Sequence, residues 1–597
     1  MSIAAMRRVT LCGLIGEKAQ VLEGLQALGV LHLIPMKEAP PLTPVDPTQI
    51  HRTQTAFRHL TEASDRRLPY RAGTPFDLDA VVAETLDNRS RLRALRDRRD
   101  DLQKRIEDLA PWGDLAFAPL DEMGGQRLWF YLLPIRDRAA LDRVDLPWQI
   151  LGKGPTNLQV AVISPEEPPE DLLPVPRVHT GAVPRSQLKR ELEDTLIATE
   201  QAEAARAELT RWRPLIGACL AASADREDLR AAGEQTLDHD EVFAAQGWAP
   251  AESVAAVEAF AAERGLALVV EAPSAEDSPP TLLTVPEGVA SGSDLTFFYT
   301  SPGYRSWDPS FVVFGSFALF FAMILGDAGY AAVIAAGTAI FWRRLGQSAA
   351  GRRARTMLAA IAGTALVYGI ACGSYFGVKP PAGGFLAALA FIDVTNFDAM
   401  MLLSVAIGAL HLTIALGAVA WLNRTSGRGV TAFGWIACIW SGMLLWQSEG
   451  RAAEILASLG LAGGLCAVFA GAAVQHPVKE PLDWARRLGA GAVALTGATK
   501  LFGDLLSYLR LFALGLASAS LAGTFNALAT DMRATHPGLG VLFAILILAL
   551  GHGINFLLGL MSGVVHGLRL NFIEFFGWGL TEEGYPFRAF SKRETPL

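Results

Sequence analysis

Cysteine is scarce in this chain of 597 residues: five, at positions 12, 219, 372, 438 and 466, with no paired spacing. That scatter excludes a disulfide framework or a cysteine-built metal knuckle as an organising feature. Cys372, Cys438 and Cys466 fall in apolar stretches and read as small buried hydrophobes. A nucleotide loop is missing too. "GLIGE" (13–17) has neither the glycine spacing nor the Lys-Ser/Thr of a phosphate-binding loop, and reads as a plain turn between strand and helix. The opening "MSIAAMRRVTLCG" lacks the layout of a signal peptide, because its apolar stretch is short and Glu17 and Lys18 follow. The N-terminal part is therefore expected to stay in the cytosol. A net charge of −8 without a basic patch argues against nucleic acid as a partner.

Charge is scarcest in the second half. Residues 1–300 hold 32 basic and 46 acidic side chains, whereas residues 301–597 hold 20 and 14. The first half reads as a water-soluble region. In the second, apolar segments run at about 311–325, 328–342, 357–377, 399–422, 431–447, 453–474, 493–529 and 538–576. Several approach or exceed the roughly 20 residues that cross a bilayer, and the last two are unusually long. Loop charge orients them. Arg343, Arg344, Arg352, Arg353, Arg355, Arg424, Arg428, Lys479, Arg486 and Arg487 lie in alternate loops, against Lys379, Arg451 and Arg533 in the others. That bias predicts eight spans with both ends of the chain in the cytoplasm.

The soluble half is predicted to open with a strand (Arg8–Leu14), a helix (Lys18–Leu28) ended by Gly29, and a strand at 30–34. Two long helices are expected at about 81–113 and 186–213. Leu92, Leu95, Leu102, Ile106 and Leu109 mark one apolar stripe, and Leu188, Leu192, Leu196, Leu209 and Trp212 the other. Their remaining positions are dense in charge, as in a two-helix antiparallel coiled coil. Strands at 127–135, 158–164 and 266–271 and a helix at 251–264 complete the reading. The expected lobes are 1–80 with 214–300, and 114–185. No nucleophile triad or metal cluster stands out in this half, and it reads as a structural strut.

Within the spans the ionisable residues are few: Asp327, Lys500, Asp504, Arg510, Arg569, Glu574, and the histidines 411, 552 and 566. Arg510 is the hardest to accommodate, because apolar or small residues follow it for five turns. A charge placed there must face protein or water. Ser507 lies about one turn before it, and Ala513, Gly515, Ala517, Ser518, Ala519 and Ser520 after it would let another helix approach closely. In the last span His552, Asn555, Gly559, Ser562, His566 and Arg569 are spaced three or four apart, on one helical face. Such a stripe can line a hydrated passage or bond the bundle together. An arginine remains protonated, so it can hold a carboxylate ionised but not relay its proton. Without a mid-span carboxylate opposite Arg510, a separate membrane partner is implied. A secondary transporter would show internal repeats, which are not evident. A pure anchor would leave Arg510 without a purpose.

"FGDLLSYLRLFALGLASASLAGTFN" (502–526) closely resembles the signature of the large membrane subunit of V-type and A-type rotary ATPases, subunit I or a. "DPSFVVFGSFALFFAMILGDAGY" (308–330), "GVVHGLRLNFIEFFGWGL" (563–580), "GWAP" (247–250) and the opening "RRVTLCGLIGEKAQVLEGLQALGVLHLI" fit the same family. The resemblance implies a multi-domain α-helical membrane protein. Residues 1–300 would form a cytosolic stator arm of α/β lobes joined by the coiled coil, and residues 301–597 a bundle of about eight transmembrane helices, two of them long and tilted. The implied partners are a proteolipid ring with ion-binding carboxylates, peripheral stalk subunits at the arm, the central-stalk top of the ring, and the lipid bilayer of a bacterial-type inner membrane. The resemblance assigns ion translocation to Arg510 and Arg569. Asp327, Asp504, Ser507, His552, Asn555, Ser562, His566 and Glu574 are the implied channel-lining or supporting residues. ATP chemistry would occur on other subunits, and the expectation is no cofactor, no metal and no catalytic residue in this chain. Proton or Na⁺ as the moved ion stays open.

Overall fold

The computed structural model describes residues 3–37, 47–71, 73–115, 122–169, 171–178, 183–477, 480–536 and 538–593. Lys479 and the chain ends, on which part of the expected orientation rests, lie outside the described residues. The chain forms two compact units. One comprises Met1–Val21, Val30–Met36 and Thr236–Phe590, and the other Leu22–Gly29, Lys37–Gln235 and Ser591–Leu597.

In the first unit, strands β1 (Met6–Leu14), β2 (His32–Ile34), β7 (Leu237–His239), β8 (Val242–Pro250) and β9 (Ala267–Glu271) form an antiparallel sheet. Its order is β2-β8-β1-β9, with β7 also paired to β8. Met6, Val9 and Leu11 of β1 are buried, as are Phe243, Ala245 and Trp248 of β8. At Gly247 a Cβ would stand 2.9 Å from the carbonyl oxygen of His32, so only glycine lets β2 lie this close to β8. A segment that follows the membrane helices returns to this sheet. The Phe590 N–H donates to Leu31 O at 2.7 Å, the Arg588 N–H to His32 Nδ1 at 2.9 Å, and the Thr281 N–H to Tyr585 O at 2.8 Å.

The second unit holds strands β3 (Arg127–Pro134), β4 (Trp148–Lys153), β5 (Asn157–Ser164) and β6 (Arg177–Val178), ordered β4-β5-β3-β6 and all antiparallel. Helices Leu78–Asp108 and Arg185–Leu209 pack antiparallel, as the Asn88 Nδ2–H to Ala202 O bond (2.9 Å) and the Arg98–Glu191 pair require. The buried stripe of the second helix is Leu188, Thr195, Ala202, Arg206 and Leu209. Leu196, expected on that stripe, is exposed instead. Leu188, Thr195, Ala202 and Leu209 follow a seven-residue period, and Leu196 stands one residue, about 100°, off that line. The buried Arg206 guanidinium donates to His59 O at 2.7 and 3.1 Å. Two further helices, Pro47–Thr61 and Arg213–Gln235, were not legible in the sequence pattern.

Among the described residues six helical runs are long and apolar enough to cross a membrane: Ala349–Cys372, Phe397–Leu422, Gly427–Gln447, Arg451–Val474, Pro481–Thr535 and Leu539–Gly579. The chain is a multi-pass membrane protein. Two more expected spans appear as shorter apolar helices, Ser310–Leu325 and Ala328–Ile340. At 1.5 Å per residue they reach only about 24 and 20 Å, short of a hydrocarbon core of about 30 Å. The seventh expected span starts earlier than its apolar run. Glu480 caps a helix that begins at Pro481, and Asp483 closes a capping box with it.

Helix contacts in the bundle rely on missing side chains. A Cβ on Gly434 would stand 2.7 Å from Gly464 O, and one on Gly471 2.6 Å from Thr431 N, so the 427–447 and 451–474 helices touch backbone to backbone. The Leu539–Arg569 helix buries Gly551, Asn555, Gly559, Gly563 and Gly567, one residue every four. Phe525 lies against Gly551, Leu325 against Gly559, Phe321 against Gly563 and Phe317 against Gly567.

Candidate functional site

Arg510 occupies the first turn of the Leu509–Thr535 helix, directly after an interruption. The preceding helix ends at Leu506, and Ser507 and Tyr508 form a turn. The backbone tightens there. Tyr508 N–H bonds Leu505 O (3.2 Å), Arg510 N–H bonds Ser507 O (3.3 Å) and Leu511 N–H bonds Tyr508 O (3.0 Å), each three residues back. The uninterrupted helix expected from the sequence is thus broken beside its arginine. The Ser507 hydroxyl donates to Gly503 O at 3.1 Å.

The Arg510 guanidinium is half-buried, and its Nη1 is enclosed without a hydrogen-bond partner among the described residues. Arg569, Glu574 and His566 lie within electrostatic reach. Arg569 ends the Leu539–Arg569 helix, with its side chain half exposed and Nε 3.9 Å from Glu574 Oε1. Five residues along a regular α-helix turn through about 140°, which would point the two apart. The structure differs because Leu570–Phe575 is wound as a π-helix, whose i→i+5 bonding returns residues five apart to one side. Glu574 is 1% exposed, and its Oε2 also has no hydrogen-bond partner among the described residues. At 3.9 Å the pair is electrostatic and not hydrogen-bonded. His566 presents an enclosed Nδ1 with no hydrogen-bond partner among the described residues.

Asp504 is hydrogen-bonded to an indole. Its Oδ2 accepts from Trp578 Nε1–H at 2.7 Å, and Lys500 Nζ lies 5.0 Å from the centre of the same indole. The intramembrane charges of Lys500 and Asp504 therefore share one aromatic neighbour.

A second polar group forms farther along the last long helix. His552 Nδ1 lies 2.7 Å from the Tyr330 hydroxyl and Nε2 3.0 Å from Asn526 Oδ1. Asn555 Nδ2 donates to the Tyr330 hydroxyl and to Ser518 O, both at 3.0 Å. Asn526 Nδ2 donates to Phe376 O at 2.8 Å. His552 and Arg569 are separated by about 25 Å of helix. Half-buried Ser562 lies on the helix between them. The six-residue polar stripe is therefore split between two clusters, and Asn555 and Gly559 belong to the packed face. Tyr330 and Asn526 were not singled out from the sequence, although both lie in segments that carry the family resemblance (308–330 and 502–526).

Asp327 belongs to the backbone beside this second group. It caps the Ala328–Ile340 helix by accepting from Gly329 N–H (2.8 Å) and Tyr330 N–H (3.0 Å). It also accepts from Ser374 Oγ–H (2.6 Å), Phe376 N–H (2.9 Å) and Gly377 N–H (2.8 Å). Five donors saturate this buried carboxylate and tie the 374–377 turn to the helix start. Among the described residues no group of three or more His, Cys, Asp or Glu could hold a metal ion.

Comparison with known proteins gives a consistent set of relatives. The chain is 27% identical over 388 residues to the A-type ATP synthase subunit I of Methanocaldococcus jannaschii, covering 59% of this chain and 55% of that protein. It is 26% identical over 429 residues to the V-type ATP synthase subunit I of Chlamydia pneumoniae, covering 60% and 62%. With V-type ATP synthase subunit I 1 of Treponema pallidum the match is 26% over 650 residues, covering 99% of this chain and 100% of that one. The chain thus spans 55% and 62% of the first two relatives and all of the third. A solved cytoplasmic N-terminal domain of subunit I aligns with 44% of this chain at 17% identity and a TM-score of 0.25, too low to argue from. No family model matches the chain.

Proposed function

The chain is a member of the subunit I family of V-type and A-type ATP synthases, and from that relationship we propose that it is the stator membrane subunit through which ions pass to and from a rotating proteolipid ring. The observation that carries this reading is Arg510. An enclosed, unpartnered guanidinium nitrogen in a membrane-embedded helix is costly. The cost is offset if a carboxylate on a separate partner meets the accessible part of the half-buried guanidinium. Ala513 and Ala517, both exposed, lie one and two turns farther along and leave room for a helix to approach. A fixed positive charge would keep the visiting carboxylate ionised, so that its proton or Na⁺ departs, and would repel a cation crossing directly. Arg569 adds charge to the same region, with Glu574 beside it holding that charge in place.

The His552–Tyr330–Asn555 cluster and the Arg510–Arg569–Glu574 cluster would then lie on two offset access routes, with Ser562 and His566 along the helix between. The soluble lobes and paired helices would hold the peripheral stalks against torque. Eight spans with cytoplasmic ends complete the proposal, the two short apolar helices borrowing length from flanking residues. ATP hydrolysis or synthesis would be carried by other subunits.

The test is Arg510→Ala in the assembled complex, reconstituted in vesicles. The expected outcome is a complex of normal subunit content that no longer acidifies the vesicle lumen or moves Na⁺ on adding ATP. Wild-type pumping in that variant would overturn the reading.

A further inference from the structure

Tyr508 sits two residues before Arg510 in the turn that interrupts the helix, and is 0% exposed. Its hydroxyl lies 2.8 Å from His411 Nδ1. Its ring lies on Gly408, where an added Cβ would stand 2.5 Å from Cγ and 2.6 Å from Cδ2. Phe320 closes the ring edge-on, with centroids 5.8 Å apart. Gly408 and His411 are three residues apart on the Phe397–Leu422 helix, hence on one face. That face offers the tyrosine a recess and a polar atom at its end.

His411 reaches a second irregular segment. Its ring stacks on Phe575 with centroids 4.1 Å apart and planes 6° apart. Phe575 follows Glu574 in the π-wound turn that brings Glu574 back towards Arg569. One buried imidazole therefore touches both backbone irregularities, the turn that starts the Arg510 helix and the π-turn beyond Arg569. Both segments depart from regular α-helical bonding, the first by three-residue bonds and the second by π-winding.

We propose that Tyr508, His411 and Gly408 are positioning residues that hold the Arg510 guanidinium at the height and angle where it meets its partner. This rests on the ion-translocating role proposed for Arg510. The tyrosine acts as a pin, the glycine as its socket, and the histidine as the tie between the two arginine-bearing segments.

The experiment measures ions moved per ATP hydrolysed in the reconstituted complex, a ratio that a loss of assembled material alone does not change. Tyr508→Phe removes only the hydroxyl. His411→Phe keeps a ring on Phe575 but removes the bond, and His411→Asn keeps a polar atom near Nδ1. The ratio is expected to fall severalfold in Tyr508→Phe and His411→Phe. His411→Asn should recover part of that loss. Gly408→Ala, which drives a methyl group into the ring, should lower the ratio at least as far. An unchanged ratio in Tyr508→Phe and His411→Phe overturns the proposal, as does a fall only in the amount of complex. Arg510→Ala, assayed alongside, separates the two ideas. If it stops pumping while the pin variants pump normally, only the positioning role fails. If it pumps normally, the role of Arg510 itself has failed.

Discussion

Gly563 gives the sharpest test of how the membrane bundle is held together. A methyl group added there would stand 2.6 Å from Phe321 Cδ2, 2.8 Å from Cε2 and 3.1 Å from Cγ. Ordinary contact begins near 3.4 Å, so either the ring or the helix must yield by about 1 Å. The ring has little room. Phe321 is 2% exposed and packs among Phe317, Leu325 and Tyr330. Overpacking of this kind costs about 1–3 kcal/mol, between about fivefold and about 160-fold in the ratio of folded to unfolded protein. Gly553→Ala is the control: it lies on the same helix, with nothing within 4 Å of an added Cβ. Heat-induced loss of the detergent-solubilised protein, followed by size-exclusion fluorescence, should show Gly563→Ala melting below Gly553→Ala. Adding Phe321→Leu should recover part of the loss, because removing the ring relieves the clash at the cost of a small void. If Gly563→Ala and Gly553→Ala melt together, close helix approach at the glycine stripe does not stabilise the bundle.

Asp327→Ala should act on assembly, not on transport: it orphans the N–H groups of Gly329, Tyr330, Phe376 and Gly377 and the Ser374 hydroxyl, at about 1–3 kcal/mol for each group left dry. Quantifying assembled complex by blotting should show a severe drop, and normal assembly with pumping lost would instead place Asp327 on an ion route. At the β2 edge of the first sheet, burial pushes His32 below the ordinary imidazole value of 6.5, and the nearby Arg588 charge acts the same way; its Nδ1 must stay unprotonated to accept the Arg588 N–H. The folded state therefore binds fewer protons than the unfolded chain as pH falls towards and below 6.5, so this contact stabilises at neutral pH and weakens in acid. Hydrogen exchange at the Arg588 amide, corrected for intrinsic rate, should lose protection between pH 7.5 and 5.5 in the wild type. It should be nearly flat in His32→Gln, and equal pH dependence in both would refute the assignment.

Much of the architecture is legible because it follows from regular periods. Strands at 8–14, 127–135, 158–164 and 266–271 appear within two residues of their expected bounds, since alternation needs only local sequence. Six of eight apolar runs became long helices, and the two short ones flank Gly326 and Asp327, a helix end and a cap that hydropathy alone does not weigh. The helices at 47–61 and 213–235 are not legible in the sequence. The first lacks a strong apolar stripe, with only Ala56 and Leu60 as its buried apolar side chains. The second is rich in alanine and charge, and reads equally as linker.

What was hidden at the site has one physical origin. Extrapolating a 3.6-residue period assumes that the backbone keeps it, and here the period fails beside each arginine. The turn at Ser507–Tyr508 resets the face on which Arg510 emerges. The π-turn at 570–575 lets Glu574 approach Arg569, which regular winding forbids. Nothing local to "SYLRL" or "LRLNFIEFF" announces either change, because the contacts that support them come from the Phe397–Leu422 helix, about a hundred residues before the first and more than 150 before the second. Apolar neighbours such as Leu511 and Phe512 declare a helix, and the tertiary contact decides where it breaks. A helix wheel drawn from sequence therefore finds the arginines but misplaces their neighbours, because every residue beyond the break carries the same angular offset. Such distant support has a use. A guanidinium in lipid gains most when it meets its partner in one orientation, and a pinned break offers a more rigid mount than the middle of a smooth helix that can rotate about its axis.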